Sequence, residues 1–221
     1  MEAEKSGNRR GHRSREEILD VASRIMAERG YAATSLAVLS RESGLPKSAV
    51  YHHFQSKAGL LTAVMARGAY DFFAAMRAAQ AGGPDAATPR ERLTWYLQRT
   101  GEVFLARPEF LRLHLLLVMS AEAAEAEVDA MIEQVRRDGR AHMNTMIAAS
   151  FAPEGAEIAQ AVADELDYFG IAGFDGAFVA LQAEPDRGLA DQMTLLAEAI
   201  AALGEARVAR LRAGTDSQPA G

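Results

Sequence analysis

Apolar residues recur along this chain at intervals of three and four, and no stretch of useful length alternates as a half-buried strand would. The first such run starts at Ser14 and sets Ile18, Ala22, Ile25 and Met26 on one helical face, with Gly30 as its stop. A short second helix is predicted over Ser35–Ser43, with Leu36 and Leu39 inward and Gly44 ending it. Pro46 opens a third over Lys47–Phe54, since proline is tolerated in a first turn. Ser56 caps a long fourth helix running to Ala79, and Gly82-Gly83-Pro84 breaks the pattern. Beyond the break the same spacing predicts helices over Pro89–Ala106, Pro108–Ser120, Ala123–Ser150, Glu154–Ala183 and Gly188–Leu211. The chain reads as all-α, with about nine helices.

Composition supports that reading: 49% of the 221 residues are hydrophobic, alanine and leucine are abundant, and β-branched runs are few. The length suits one large domain or two smaller ones, either able to bury a core. With no cysteine there is no disulfide framework, thiolate metal site or thiol nucleophile. The charged N-terminus lacks the apolar run of a signal peptide. The longest uncharged apolar stretch, Leu113 to Ala121, is about half of the ~18 residues a membrane span needs. A cytoplasmic protein with no membrane partner is expected.

Charge changes the picture more. The net charge of −6 conceals a split: residues 1–60 hold ten Lys/Arg against seven Asp/Glu, and the remainder holds fourteen against twenty-three. A small basic head on an acidic body suits a nucleic-acid reader with a separate second domain.

Within that head the segment from Gly30 to Leu60 is the most informative. On the third helix Val50 and Phe54 stand four apart and face inward, whereas Lys47 with Tyr51 and Ser48 with His52 form outward rows. A two-turn helix with a donor-rich outer face is the recognition element of a helix-turn-helix. Lys47 reaches phosphate or a guanine edge, and Ser48 and Ala49 are small enough for close approach, with Ala49 suited to a thymine methyl. Tyr51 and His53 offer donors to phosphate, and His52 to a base or a phosphate. Thr34 and Ser35 offer hydroxyls, and Lys57 sits at a helix start that already favours an anion. The alternative is an ordinary three-helix packing unit.

Gly30-Tyr31, Thr34-Ser35, Gly44-Leu45-Pro46, Val50-Tyr51-His52-His53-Phe54, Ser56-Lys57 and Leu60 together resemble the signature of the TetR (tetracycline-repressor-type) family. The likeness covers residues 14–65. It implies a homodimeric, ligand-responsive transcriptional regulator, usually a repressor, acting on a double-stranded DNA operator, whose last two helices form the dimer interface. Two positions depart: Ser40 replaces the usual alanine, and Ala58 replaces the acidic residue that usually follows the lysine. Losing that carboxylate weakens the fourth helix start by roughly 0.3–1 kcal/mol.

The expected organisation is a flexible basic arm over 1–11, a helix-turn-helix domain over 12–72 (motif 35–54), an all-α ligand-binding and dimerisation domain over 73–212, and a disordered tail over 213–221. The basic arm, with Lys5, Arg9, Arg10 and Arg13, is read either as a minor-groove contact or as a solvated tail.

In the body, Trp95, Phe104, Phe110, His114, Met131, His142 and Met146 are expected to line an apolar pocket for a small ligand, His114 and His142 as its polar anchors. Such residues at helical spacing equally make a plain core. Gly170, Gly173 and Gly176 lie within one predicted helix, where each glycine costs up to ~1 kcal/mol, so close approach of another helix is inferred. With Phe169, Phe174, Phe178, Met193, Leu196 and Ile200 nearby, Gly173 is assigned to a four-helix dimer interface, intrachain packing being the alternative.

Nothing reads as catalytic: there is no His-Glu-x-x-His, Gly-x-Ser-x-Gly or phosphate loop. Adjacent histidines point apart on a helix and make a poor metal site. No cofactor and no metal are expected. A regulator sensing a protein partner and a helical-bundle enzyme are the competing readings.

Overall fold

A computed structural model describes residues 2–84, 88–119, 126–184 and 186–216. Among these residues there are nine α-helices and no strand: α1 (Glu2–Ala33), α2 (Leu36–Ser43), α3 (Lys47–Phe54), α4 (Lys57–Ala79), α5 (Pro89–Leu105), α6 (Pro108–Met119), α7 (Ala126–Phe151), α8 (Ala156–Ala183) and α9 (Leu189–Asp216). A 3-10 turn, Ala152–Glu154, links α7 to α8. No helix here is long and apolar enough to cross a membrane, and no group of three or more potential metal-ligating side chains converges among the described residues.

Two ends differ from the sequence expectation. Residues 2–11 continue α1 as helix instead of forming an arm. The stretch lacks proline and β-branched residues, and Glu2 and Glu4 precede its basic residues, a charge order that suits the helix dipole. The side chains of Lys5, Arg9 and Arg10 lie outside those described, as do Ser120, Ala123 and residues 217–221. At the other end α9 runs on to Asp216, into the predicted tail.

The chain divides into two compact units, Met1–Ala74 with Ala106–Val135, and Ala75–Leu105 with Arg136–Gly221. The first therefore takes in α6 and the start of α7 as well as the predicted head. Its core is Ile18, Leu19, Ile25 and Met26 of α1, Leu39 of α2, Val50 and Phe54 of α3, and Leu60, Leu61 and Met65 of α4. α6 packs against α1, and Phe110 of α6 meets Phe72 of α4 with ring centres 5.5 Å apart. Gly68 permits this: a Cβ there would lie 2.7 Å from the Phe110 ring. Arg67 bridges Glu16 at 3.1 Å and Asp20 at 2.8 Å, tying α4 to α1.

In the second unit α5 and α8 both pack on α9. Phe104 of α5 lies edge-on to Phe174 and Phe178 of α8, with ring centres 5.4 and 4.3 Å away. The α8 glycines separate into two kinds. A Cβ on Gly170 would meet Met143 of α7 at 2.8 Å and one on Gly173 would meet Leu196 of α9 at 2.5 Å, whereas Gly176 has nothing within 4 Å. Asp167 is buried on α8 and is held by Arg140 at 2.8 Å and Asn144 at 3.2 Å.

This packing revises the expected dimer set. Phe174, Phe178, Met193 and Ile200 are buried within one chain, and Leu196 covers Gly173. Of the seven assigned residues, Phe169 is the exposed one, at 43%. Period-3.6 spacing finds the apolar positions of α8 and α9 but does not separate an inner face from an outer face when both are apolar.

Candidate DNA-binding site

The site begins with local chemistry. Ser35 caps α2, accepting from the Val38 N–H at 3.2 Å. Gly44 ends that helix in the left-handed region at φ 69°, a conformation glycine adopts without cost. Ser40 then donates from its hydroxyl to the Leu45 carbonyl at 2.7 Å, so its departure from alanine adds a clamp on the turn. Pro46 is extended, and the Ala49 N–H donates to its carbonyl at 2.9 Å to start α3.

α3 shows the predicted faces. Val50 and Phe54 are buried, Lys47, Ser48 and His52 are exposed, and Tyr51 is 54% exposed. Ala49 and His53 are half-buried. After Phe54 the chain turns sharply, with Gln55 at φ 58°, and Ser56 caps α4 by accepting from Gly59 N–H at 2.8 Å. Gly59 lies directly beneath the Phe54 carbonyl.

Three predicted contacts are engaged elsewhere in the chain. Thr34 is fully buried and its hydroxyl donates to the Gly30 carbonyl at 2.9 Å, which removes it from the exposed set. A backbone break at Gly30 (φ 80°, ψ 164°) separates the last turn of α1, and Thr34 closes that turn inward. Lys57 donates to the Ala32 carbonyl at 3.1 Å, its ammonium 4.2 Å from the centre of the Tyr31 ring. His53 joins α1 through Nε2, 2.6 Å from the Ser14 hydroxyl oxygen. Partial burial, then positive charge on His52, then Arg15 hold its imidazole below the ordinary value of 6.5. Ser14, Tyr31 and Gly59 were not singled out as site residues; only their spatial neighbours reveal their part.

Residues 18–64 match the family model of bacterial regulatory proteins, tetR family. Over that stretch the chain carries a domain of the tetR family type. The domain is its DNA-binding part. A transcriptional repressor of the helix-turn-helix type, KstR2 from Rhodococcus jostii, is 33% identical over 79 residues, which is 36% of this chain and 39% of that protein. The chain thus matches well under two thirds of that relative's length. A TetR-family regulator from Agrobacterium tumefaciens shares the fold at a TM-score of 0.65, with 18% identity over 86% of this chain and 96% of that one. A candidate transcriptional regulator from Saccharomonospora viridis, solved with choline, also has a TM-score of 0.65, at 21% identity over 85% and 94% of the two chains.

Outside the TetR-type domain the residues expected to line a pocket fall into several groups. In the first unit Phe110 stacks on His114 at 6.3 Å, both buried, as is Met131. In the second, His142 donates from Nε2 to the Gln80 side-chain carbonyl at 2.9 Å. Gln80 in turn donates to Thr100 at 3.0 Å, the Tyr96 carbonyl at 3.3 Å and the Met146 sulfur at 3.3 Å. Burial first, then Arg77, hold the His142 imidazole below its usual range. Phe104 is in the α5–α8 aromatic cluster, and Trp95 lies beside Tyr96. Two shallow clefts in this unit, of about 160 and 220 Å³, are lined by other residues, among them Leu181, Arg187, Gln98 and Glu102.

Proposed function

We propose that the chain is a sequence-specific DNA-binding regulator that acts as a homodimer on a pseudo-palindromic operator and is released by a small apolar or amphipathic ligand. The observation that carries the DNA reading is α3 itself. Its inner face is buried through Val50 and Phe54 while Lys47, Ser48, Tyr51 and His52 stand outward as donors. Ser35 joins them at the exposed start of α2.

Dimerisation draws support from the apolar residues left outside on α8 and α9: Tyr168, Phe169 and Val179 on one helix, Leu195 and Leu203 on the other. Gly176, open on its Cβ side, suits a closely approaching helix. Ligand response rests on the helical body common to TetR-family folds and on the part-buried Gln80–His142–Thr100 network as polar anchors; one fold-mate was solved in complex with choline.

The test is selection of bound duplexes from a random pool at controlled salt. The expected result is a pseudo-palindrome whose half-sites lie about 34–36 Å apart, or a multiple of that. A pool that stays unenriched at low salt, where phosphate contacts are strongest, rejects the reading.

A further inference from the structure

Ser14 lies on α1, outside the helix-turn-helix, yet its hydroxyl oxygen is 2.6 Å from Nε2 of His53. A hydroxyl has one proton to donate. Its other acceptor within reach, the Gly11 carbonyl, is 3.4 Å away, a much poorer geometry. The proton therefore goes to Nε2, which makes His53 a neutral imidazole protonated at Nδ1. Among the described residues Nδ1 has no hydrogen-bond partner of its own.

Basic side chains on both helices face this ring. Arg15 of α1 sits over the Phe54 ring at 5.3 Å, and the His52 ring of α3 is edge-on to His53 at 5.3 Å. Glu16, beside Arg15, is held by Arg15 and Arg67.

We propose that Ser14 is a positioning residue for duplex binding, acting through His53 to hold the imidazole with its Nδ1–H edge toward a DNA phosphate. This rests on the DNA-binding reading above. The same hydroxyl also serves the charged ring. As a phosphate arrives, its negative field favours uptake of a proton from solvent at Nε2. Nε2–H then donates to Ser14, and the Ser14 hydroxyl turns to the Gly11 carbonyl. Binding is thereby coupled to protonation, and affinity rises as pH falls through the range where the free ring is neutral and the bound ring is not.

The experiment is fluorescence anisotropy of the full chain with a selected duplex and a scrambled one, between about pH 5.5 and 8 at fixed ionic strength. At neutral pH Ser14→Ala is expected to weaken both duplexes by about 3- to 10-fold. It also displaces the pH profile downward, because the charged ring loses the stronger, charge-assisted hydrogen bond. Ser14→Thr keeps the hydroxyl and restores both. In a His53→Gln background Ser14→Ala adds no further loss, and the profile flattens. A Ser14→Ala profile superimposable on the parent, or a loss that adds fully to that of His53→Gln, overturns the inference while leaving DNA binding intact. A parent chain that binds neither duplex overturns the DNA-binding reading and this inference with it.

Discussion

A Cβ on Gly59 would stand 2.6 Å from the carbonyl oxygen of Phe54, closer than any real side chain sits. α3 ends at Phe54, and Gly59 lies in the first turn of α4. Backbone meets backbone here, so no side chain can swing away. Gly59→Ala is expected to lower stability by about 1–3 kcal/mol. Urea unfolding would show the midpoint falling with an unchanged slope; a midpoint equal to the parent's would refute the crowding argument.

Lys47 and Tyr51 share an outward row of α3 but differ in reach. Tyr51→Ala is expected to weaken selected and scrambled duplexes alike, because a phenol at the groove edge contacts phosphate. Lys47→Ala is expected to change the preferred sequence as well, at about 1–3 kcal/mol for a lost base contact. Equal losses on both duplexes for Lys47→Ala would remove it from base readout.

His142 makes stability depend on pH in the second unit. Its imidazole is held below 6.5 by burial and by Arg77, so the folded chain keeps it neutral where the unfolded chain takes up a proton. Stability is then greatest above 6.5 and declines as pH falls from there toward the lowered folded value. Thermal unfolding at descending pH should show a smaller decline for His142→Gln than for the parent. An identical decline would mean that other groups govern the acid limb.

The glycines of α8 and α9 should divide sharply on substitution. A Cβ on Gly204 would lie 2.2 Å from the Phe151 ring, so Gly204→Ala forces two helices apart and is expected to cost about 1–3 kcal/mol. Gly176 has open space beside it, so Gly176→Ala is expected to gain up to ~1 kcal/mol of helix propensity in the single chain. If a second copy packs there, the same change weakens self-association, which sedimentation equilibrium reads directly. Unaltered self-association would move the dimer contact away from Gly176.

The α2–α3 region was legible because its signals are local. Ser35, Gly44 and Pro46 each act on backbone within a few residues, and the two helices begin and end where those residues dictate. Val50 and Phe54 were assigned inward by spacing and are buried. What escaped was tertiary. Thr34 turns inward because Gly30 breaks α1, and the Ser14–His53 contact joins residues on two helices that no local rule pairs. On α8, Phe169 and Phe178 look alike to a hydrophobic scale, and only packing against Phe104 tells them apart.

The outward face of α3 carries one permanent cation, Lys47, beside two histidines. Its positive charge is therefore adjustable, where a lysine- or arginine-rich helix would have a fixed one. On the coupling proposed above, His53 gaining a proton on the duplex adds a neutralised phosphate and releases one more counterion. That coupling makes the steepness of the salt dependence itself a function of acidity, so DNA would be gripped by a different number of charges in different solutions.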